Sequence, residues 1–171
     1  MKWYEELLII LAIFIAITII LLGIKILRYK KLNDNIEKVI KENYPDVKIV
    51  KHVAQMIYQL EFKTDKLYLI KIIDINPKNE IIITNSEKVA INVDIRGWRR
   101  SSKPNFVAGI KEFIKKKSNI ETVKIVLIYP NCHNITKYIN ESDAFKVNST
   151  KEIDGLFFVK YTELGEFLKK H

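Results

Sequence analysis

The hydrophobic pattern opens with an unbroken apolar run, Leu7 to Ile24 (LLIILAIFIAITIILLGI), followed at once by Lys25, Arg28, Lys30 and Lys31. At 1.5 Å rise per residue, roughly eighteen helical residues cover nearly the whole hydrocarbon core of a bilayer. No Asp, Glu, Lys or Arg interrupts the run, and a helix apolar all round is the surface a membrane accepts. Lys2 on the amino side is offset by Glu5 and Glu6, whereas four basic residues crowd the carboxyl side. The positive-inside bias therefore predicts a cytoplasmic location for everything after the helix, with Trp3, Tyr4 and Tyr29 at the headgroup belts. A secretory signal peptide is the competing reading. It would carry a shorter apolar region, a clearer positive start and a small-residue cleavage site, and no A-x-A-like pattern follows this run.

After the anchor the periodicity changes from element to element. Ile36, Val39, Ile40 and Tyr44 fall on one stripe of a helix over Leu32 to Tyr44, which Pro45 ends. Strands are predicted over Val47 to Val53, Met56 to Lys63 and Leu67 to Ile75, the second alternating clearly, with a hairpin turn at Lys63-Thr64-Asp65-Lys66. Asn76-Pro77-Lys78-Asn79 is a further turn, before short strands over Glu80 to Thr84 and Val89 to Val93. Pro104 is expected to open a helix running to about Lys117. Val123 to Tyr129 (VKIVLIY) reads as a strand buried on both faces beside a parallel neighbour. A loop over Pro130 to Asn134, a helical turn around Ile135 to Phe145, a buried strand over Leu156 to Tyr161 and a Thr162-capped helix to Leu168 complete the pattern. This order predicts an α/β sandwich around one mixed sheet. Two regions follow: an anchor with its basic juxtamembrane segment (1–31), and one α/β domain (32–171).

Composition adds a strong positive balance, with a formal net charge of +9 and a pI near 9.4. That charge suits anionic lipid, held by Lys25, Arg28, Lys30 and Lys31, or nucleic acid. A chain this rich in Ile, Lys and Asn also acquires it from an AT-biased genome alone. The single cysteine, Cys132, excludes an internal disulfide and fits a reducing compartment. Glycine is scarce and neither G-x-x-x-x-G-K nor G-x-G-x-x-G occurs, which argues against a phosphate-cradling nucleotide loop.

A helix, a three-stranded meander, then a helix and a buried strand is the layout of restriction-endonuclease-like nucleases. Trp98 ahead of Pro104, and the ending Leu156-Phe157-Phe158-Val159 with Glu163-Leu164 and Phe167-Leu168, add detail. On these features the stretch from about Ile36 to Leu168 resembles the nuclease-related domain (NERD) branch of that superfamily, whose members are often membrane-anchored. The resemblance implies a three-layer domain with a central mixed sheet. It also implies an acid on the second strand and an acid-x-Lys on the third, holding a cation such as Mg2+ that activates water and neutralises phosphate charge. By element order, Glu61 stands where the first acid belongs. Lys71 then replaces the metal-binding acid and Ile73 replaces the lysine. An ammonium cannot coordinate a cation, and beside Glu61 it is expected to form an ion pair. The family's Pro-x-x-Gln is also missing, since Val107 stands where Gln belongs.

A second placement exists, because Pro45-Asp46 and Glu61-Phe62-Lys63 spell P-D-x14-E-x-K. It would give an active, Mg2+-dependent nuclease using Asp46, Glu61 and Lys63, but it leaves no strand ahead of the acid-bearing one. Element order favours the first placement, hence a degenerate centre, no cofactor, and a module binding nucleic acid or a protein partner. A membrane-tethered scaffold with no nucleic-acid role is the third reading. Among other candidates, Arg96, Trp98, Arg99, Arg100 and Lys103 mix cations with an indole. Phosphate-binding or base-stacking surfaces do the same, and so do surfaces that press against anionic lipid. Asn131-Cys132-His133-Asn134 follows a buried strand, yet a lone Cys-His pair cannot close a zinc site.

Overall fold

The computed structural model describes residues 3–54, 57–85, 88–92, 105–139 and 143–171. The chain divides into two units, residues 1–39 and residues 40–171. The first is made of helix α1 (Trp3–Asn43) up to Val39. It is long and apolar enough to cross a membrane. Leu7, Phe14, Ile19, Leu22 and Leu27, spread along the helix, are all half or more exposed, as a lipid-facing surface requires. Trp3 and Tyr4 pack edge to face at its start, their ring centroids 6.4 Å apart.

In the second unit, the last turn of α1 closes with the Tyr44 amide donating to the Ile40 carbonyl at 2.8 Å. Pro45 then ends the helix as its missing amide hydrogen dictates. A meander follows: β1 (Ile49–Ala54), β2 (Ile57–Lys63) and β3 (Leu67–Asp74), each antiparallel to the next. Next come β4 (Glu80–Asn85), β5 (Lys88–Asn92), β6 (Asn105–Phe106) and α2 (Ile110–Lys115). The chain continues through β7 (Thr122–Tyr129), β8 (Ile135–Tyr138), β9 (Ala144–Lys146), β10 (Glu152–Ile153) and β11 (Leu156–Lys160). It closes with a 3-10 turn, Tyr161–Glu163, and α3 (Leu164–Lys170).

These strands form two mixed sheets, of order β1-β2-β3-β7-β11-β10 and β6-β5-β4-β8-β9, and not the single mixed sheet expected. The meander pairs with β7 through β3, so β4 and β5 have no edge there and build their own sheet with β8. The apolar run of β7 does lie between two parallel neighbours, β3 and β11. Alternation along the strands divides the first sheet into two faces. On one, Leu69, Ile73, Val126, Ile128 and Phe158 pack with Ile81 and Ile83 of β4, Ile135 of β8, and Ile110 and Phe113 of α2. On the other, Phe62 and Tyr68 stack with centroids 4.6 Å apart and meet Tyr44, while Phe157 packs on Phe167 of α3. The Tyr44 hydroxyl donates to the Leu168 carbonyl at 2.9 Å, fastening α3 to this face.

Three local expectations are corrected. The helix expected from Pro104 begins only at Ile110, after Gly109 adopts a left-handed φ of 69°. Ahead of it, Asn105 and Phe106 pair with β5, and the Val107 amide donates to the Val89 carbonyl at 2.8 Å. The helical turn expected around Ile135 to Phe145 is strand at both ends, β8 and β9. Ile135 and Thr136 are β-branched and sit beside Ile81 and Ile82 of β4. Finally, Thr162 lies inside the 3-10 turn, and α3 starts at Leu164, its N-cap Glu163 making no side-chain cap.

Candidate functional site

The centre of β3 holds the two positions that the sequence matched to an acid-x-Lys. Lys71 lies between Gln59 of β2 and Val126 of β7, and its side chain is 2% exposed. Two residues along the same strand face, Ile73 is buried in the core between the sheets. Burial pushes the Lys71 ammonium below the usual lysine range; Glu112 acts in the opposite sense, and Lys116 lowers it further. Glu112 of α2 and Lys116 just after it thus belong to the electrostatic environment of Lys71.

Glu61, on β2 opposite Val50 and Leu69, does not take Lys71 as its ion-pair partner. Its carboxylate lies 3.4 Å from His52 Nε2 on the neighbouring strand, both side chains partly exposed. The expected Glu61–Lys71 pair is replaced because β1 supplies a partner on the exposed side of Glu61. The side chain is therefore turned toward the sheet edge, away from the α2-covered centre.

The other motif placement is only half assembled. Asp46 and Lys63 line one cleft of about 340 Å³, together with Asn43, Tyr44, Pro45, Val47 and Thr64. Glu61 is not part of that wall. Among the described residues, no three His, Cys, Asp or Glu side chains gather as a metal site would require. Arg96, Trp98, Arg99, Arg100 and Lys103 lie outside the described residues, as does Pro104. Of the juxtamembrane cations, Arg28, Lys30 and Lys31 are exposed on α1.

The loop after β7 is tied down by its own polar groups. The Cys132 amide donates to Asn131 Oδ1 at 2.8 Å, the His133 amide to the Asn79 carbonyl at 3.0 Å, and Asn134 Nδ2 to Glu80 at 3.2 Å. The Cys132 thiol is 4% exposed, and burial pushes it up to about 11. At neutral pH it is a packed thiol, not a nucleophile.

A further polar cleft, of about 420 Å³, opens where α2 ends and β7 begins. Lys116, Lys117 and Lys124 line it with Ser118, Thr122 and Glu152. Lys124 is half-buried, and its ammonium donates to the Ile114 carbonyl at the C-terminal end of α2, where a helix favours positive charge. Burial lowers its pKa. Two signals in the sequence mark this place: the run Lys115-Lys116-Lys117-Ser118, and a lysine interrupting the otherwise apolar β7. Its far wall includes Gly155, in an Asp154-Gly155 turn whose residues both have positive φ, 51° and 81°. Asp-Gly between apolar residues is a strong two-residue hairpin signature, and here it joins β10 to β11.

No protein-family model, no curated protein and no solved structure matches this chain.

Proposed function

We propose that this protein is a single-pass membrane protein whose α/β domain lies on the cytoplasmic side. In this reading the domain is a degenerate nuclease-related (NERD-like) unit that binds nucleic acid or a protein partner near the membrane. The observation that carries it is Lys71, a nearly fully buried lysine on the third strand where that family's plan calls for a metal-binding carboxylate. Supporting it, the antiparallel β1-β2-β3 meander shares one sheet with the parallel strands β7 and β11, and α2 lies between β3 and β7 in the chain together with β4, β5 and β6 of the second sheet. Ile73 takes the place of the family's lysine within an apolar core, so no ammonium is presented there to a phosphate. Orientation follows from the basic residues after the apolar run, which are retained on the cytoplasmic face.

One observation favours the active alternative: Asp46 and Lys63 share a cleft. Glu61 is the missing third member, and it is engaged by His52. The test uses the full chain in nanodiscs with labelled single- and double-stranded DNA and RNA, with Mg2+ or Mn2+ present. The proposal expects no metal-dependent cleavage, together with retention that weakens steeply with salt as phosphate counterions are released. Cleavage abolished by Glu61→Ala would establish the nuclease instead. Salt-insensitive behaviour without retention of any nucleic acid would leave a protein partner or a bare scaffold role.

A further inference from the structure

From the geometry of the cleft between α2 and β7, we infer that it is a binding site for a compact phosphorylated ligand carrying a phosphomonoester or diphosphate group. The inference does not rest on the nuclease-like reading, because the cleft is a different place from the Lys71 position.

Lys116, Lys117 and Lys124 line a single cleft of about 420 Å³ with one acidic residue, Glu152, and the Lys124 ammonium is held at the cleft wall by the Ile114 carbonyl. That volume lies within the range of roughly 300–1,000 Å³ usual for small-molecule sites. The neighbouring carboxylates are already engaged. Glu121 is 2.9 Å from Lys66, and Asp154 in the β10–β11 turn is paired with Lys137. Three lysines against one glutamate give the cleft wall a net positive charge, and a surface of one net sign concentrates ligands of the other. Lysine binds phosphate as a point charge with three donors.

Ser118 completes the donor set. Ser118 Oγ accepts from the Ile120 amide at 3.2 Å, which leaves its own proton to donate. Thr122 donates its proton to the Ile120 carbonyl at 2.8 Å, so it orders the loop and offers the ligand no donor. At Gly155 a Cβ would meet nothing within 4 Å, so this wall stands open to a ligand. Glu152 sets the size limit, since a polyanion running past it would meet like charge.

The test follows amide resonances of Ser118, Thr122 and Gly155 in the full chain held in phosphatidylcholine nanodiscs. One arm titrates pyrophosphate; a second adds phosphatidic acid to the disc, whose headgroup presents the same phosphomonoester. Saturable shifts in the first arm identify a soluble ligand, and shifts confined to the second identify a lipid headgroup; either supports the site. Lys117→Ala and Lys116→Ala should each weaken binding about tenfold, the scale of a hydrogen bond to a charged group. Lys78→Ala, on the exposed turn before β4, should leave it unchanged. Absence of shifts in both arms overturns the inference, as does binding indifferent to Lys116→Ala and Lys117→Ala. Shifts produced only by an oligonucleotide would also overturn it, because the ligand would then be a polymer.

Discussion

Replacing Lys71 by Met should make the second unit more stable. The lysine stem is buried on β3, and Met keeps most of that contact while removing the ammonium. The effective cost of burying an ion is several kcal/mol, of which Glu112 returns part. The smaller Met forfeits about one methylene of packing, worth about 1 kcal/mol. The net expectation is a gain of about 1–3 kcal/mol, which for a unit of this size raises the melting temperature by about 4–11 °C.

The pH dependence supplies a second, signed readout. Below the depressed Lys71 pKa both folded and unfolded states are protonated, and the penalty on the parent is complete. Between that value and the ordinary 10.5, the folded state has released the proton while the unfolded chain retains it, so parental stability rises with pH. The advantage of Lys71→Met should therefore shrink as pH climbs toward 10.5. Taking the difference between the two proteins cancels the titration of Lys66 and Lys124, which is common to both. Thermal unfolding of both full chains in nanodiscs between pH 6 and 10.5 measures it. A variant less stable than the parent by more than about 1 kcal/mol would refute the reasoning, since the ammonium would then make a favourable contact. A gap that stays constant to pH 10.5 would do the same.

Three further outcomes are expected. Tyr44→Phe removes the hydrogen bond to the Leu168 carbonyl and should cost about 1 kcal/mol in the same unfolding assay; an unchanged midpoint would mean the bond contributes nothing. Gly155→Ala meets no steric obstacle but must hold φ near 81°, so it should destabilise by about 1 kcal/mol; a neutral or stabilising result would contradict the left-handed turn. Ile15→Arg, in the middle of the apolar run, should raise the cost of insertion by about 3 kcal/mol or more. Alkaline carbonate should extract it from membranes far more readily than the parent, and equal resistance would argue against a spanning helix.

The parts of the fold that were legible in the sequence are those set by local chemistry. Pro45 stops α1 because it lacks an amide hydrogen, and VKIVLIY reads as a doubly covered strand because no position in its second half is polar. What escaped depends on distant partners. Ile135-Thr136-Lys137-Tyr138 is too short to declare its period, and only its parallel neighbour β4 makes it a strand. Pro104 resembles a helix start, yet the left-handed Gly109 delays the helix and the intervening residues pair with β5. At the candidate site, the strand carrying Lys71 was readable but the partner of Glu61 was not, since it comes from register with β1. The Asp154-Gly155 hairpin could have been read directly from its dipeptide.

The pairing of β3 with β7 has a bearing on how the chain matures. Between these neighbours lie β4, β5, β6 and α2, so the centre of the larger sheet cannot close until all of them have been synthesised. Contacts so remote along the chain carry a loop-closure cost before they return any stabilisation, and they slow folding. Emerging from the ribosome, β1, β2 and β3 can zip early as a local ribbon whose β3 edge is still unmet. That edge waits for β7, and its hydrogen-bonding groups stay available to any other strand in the interval.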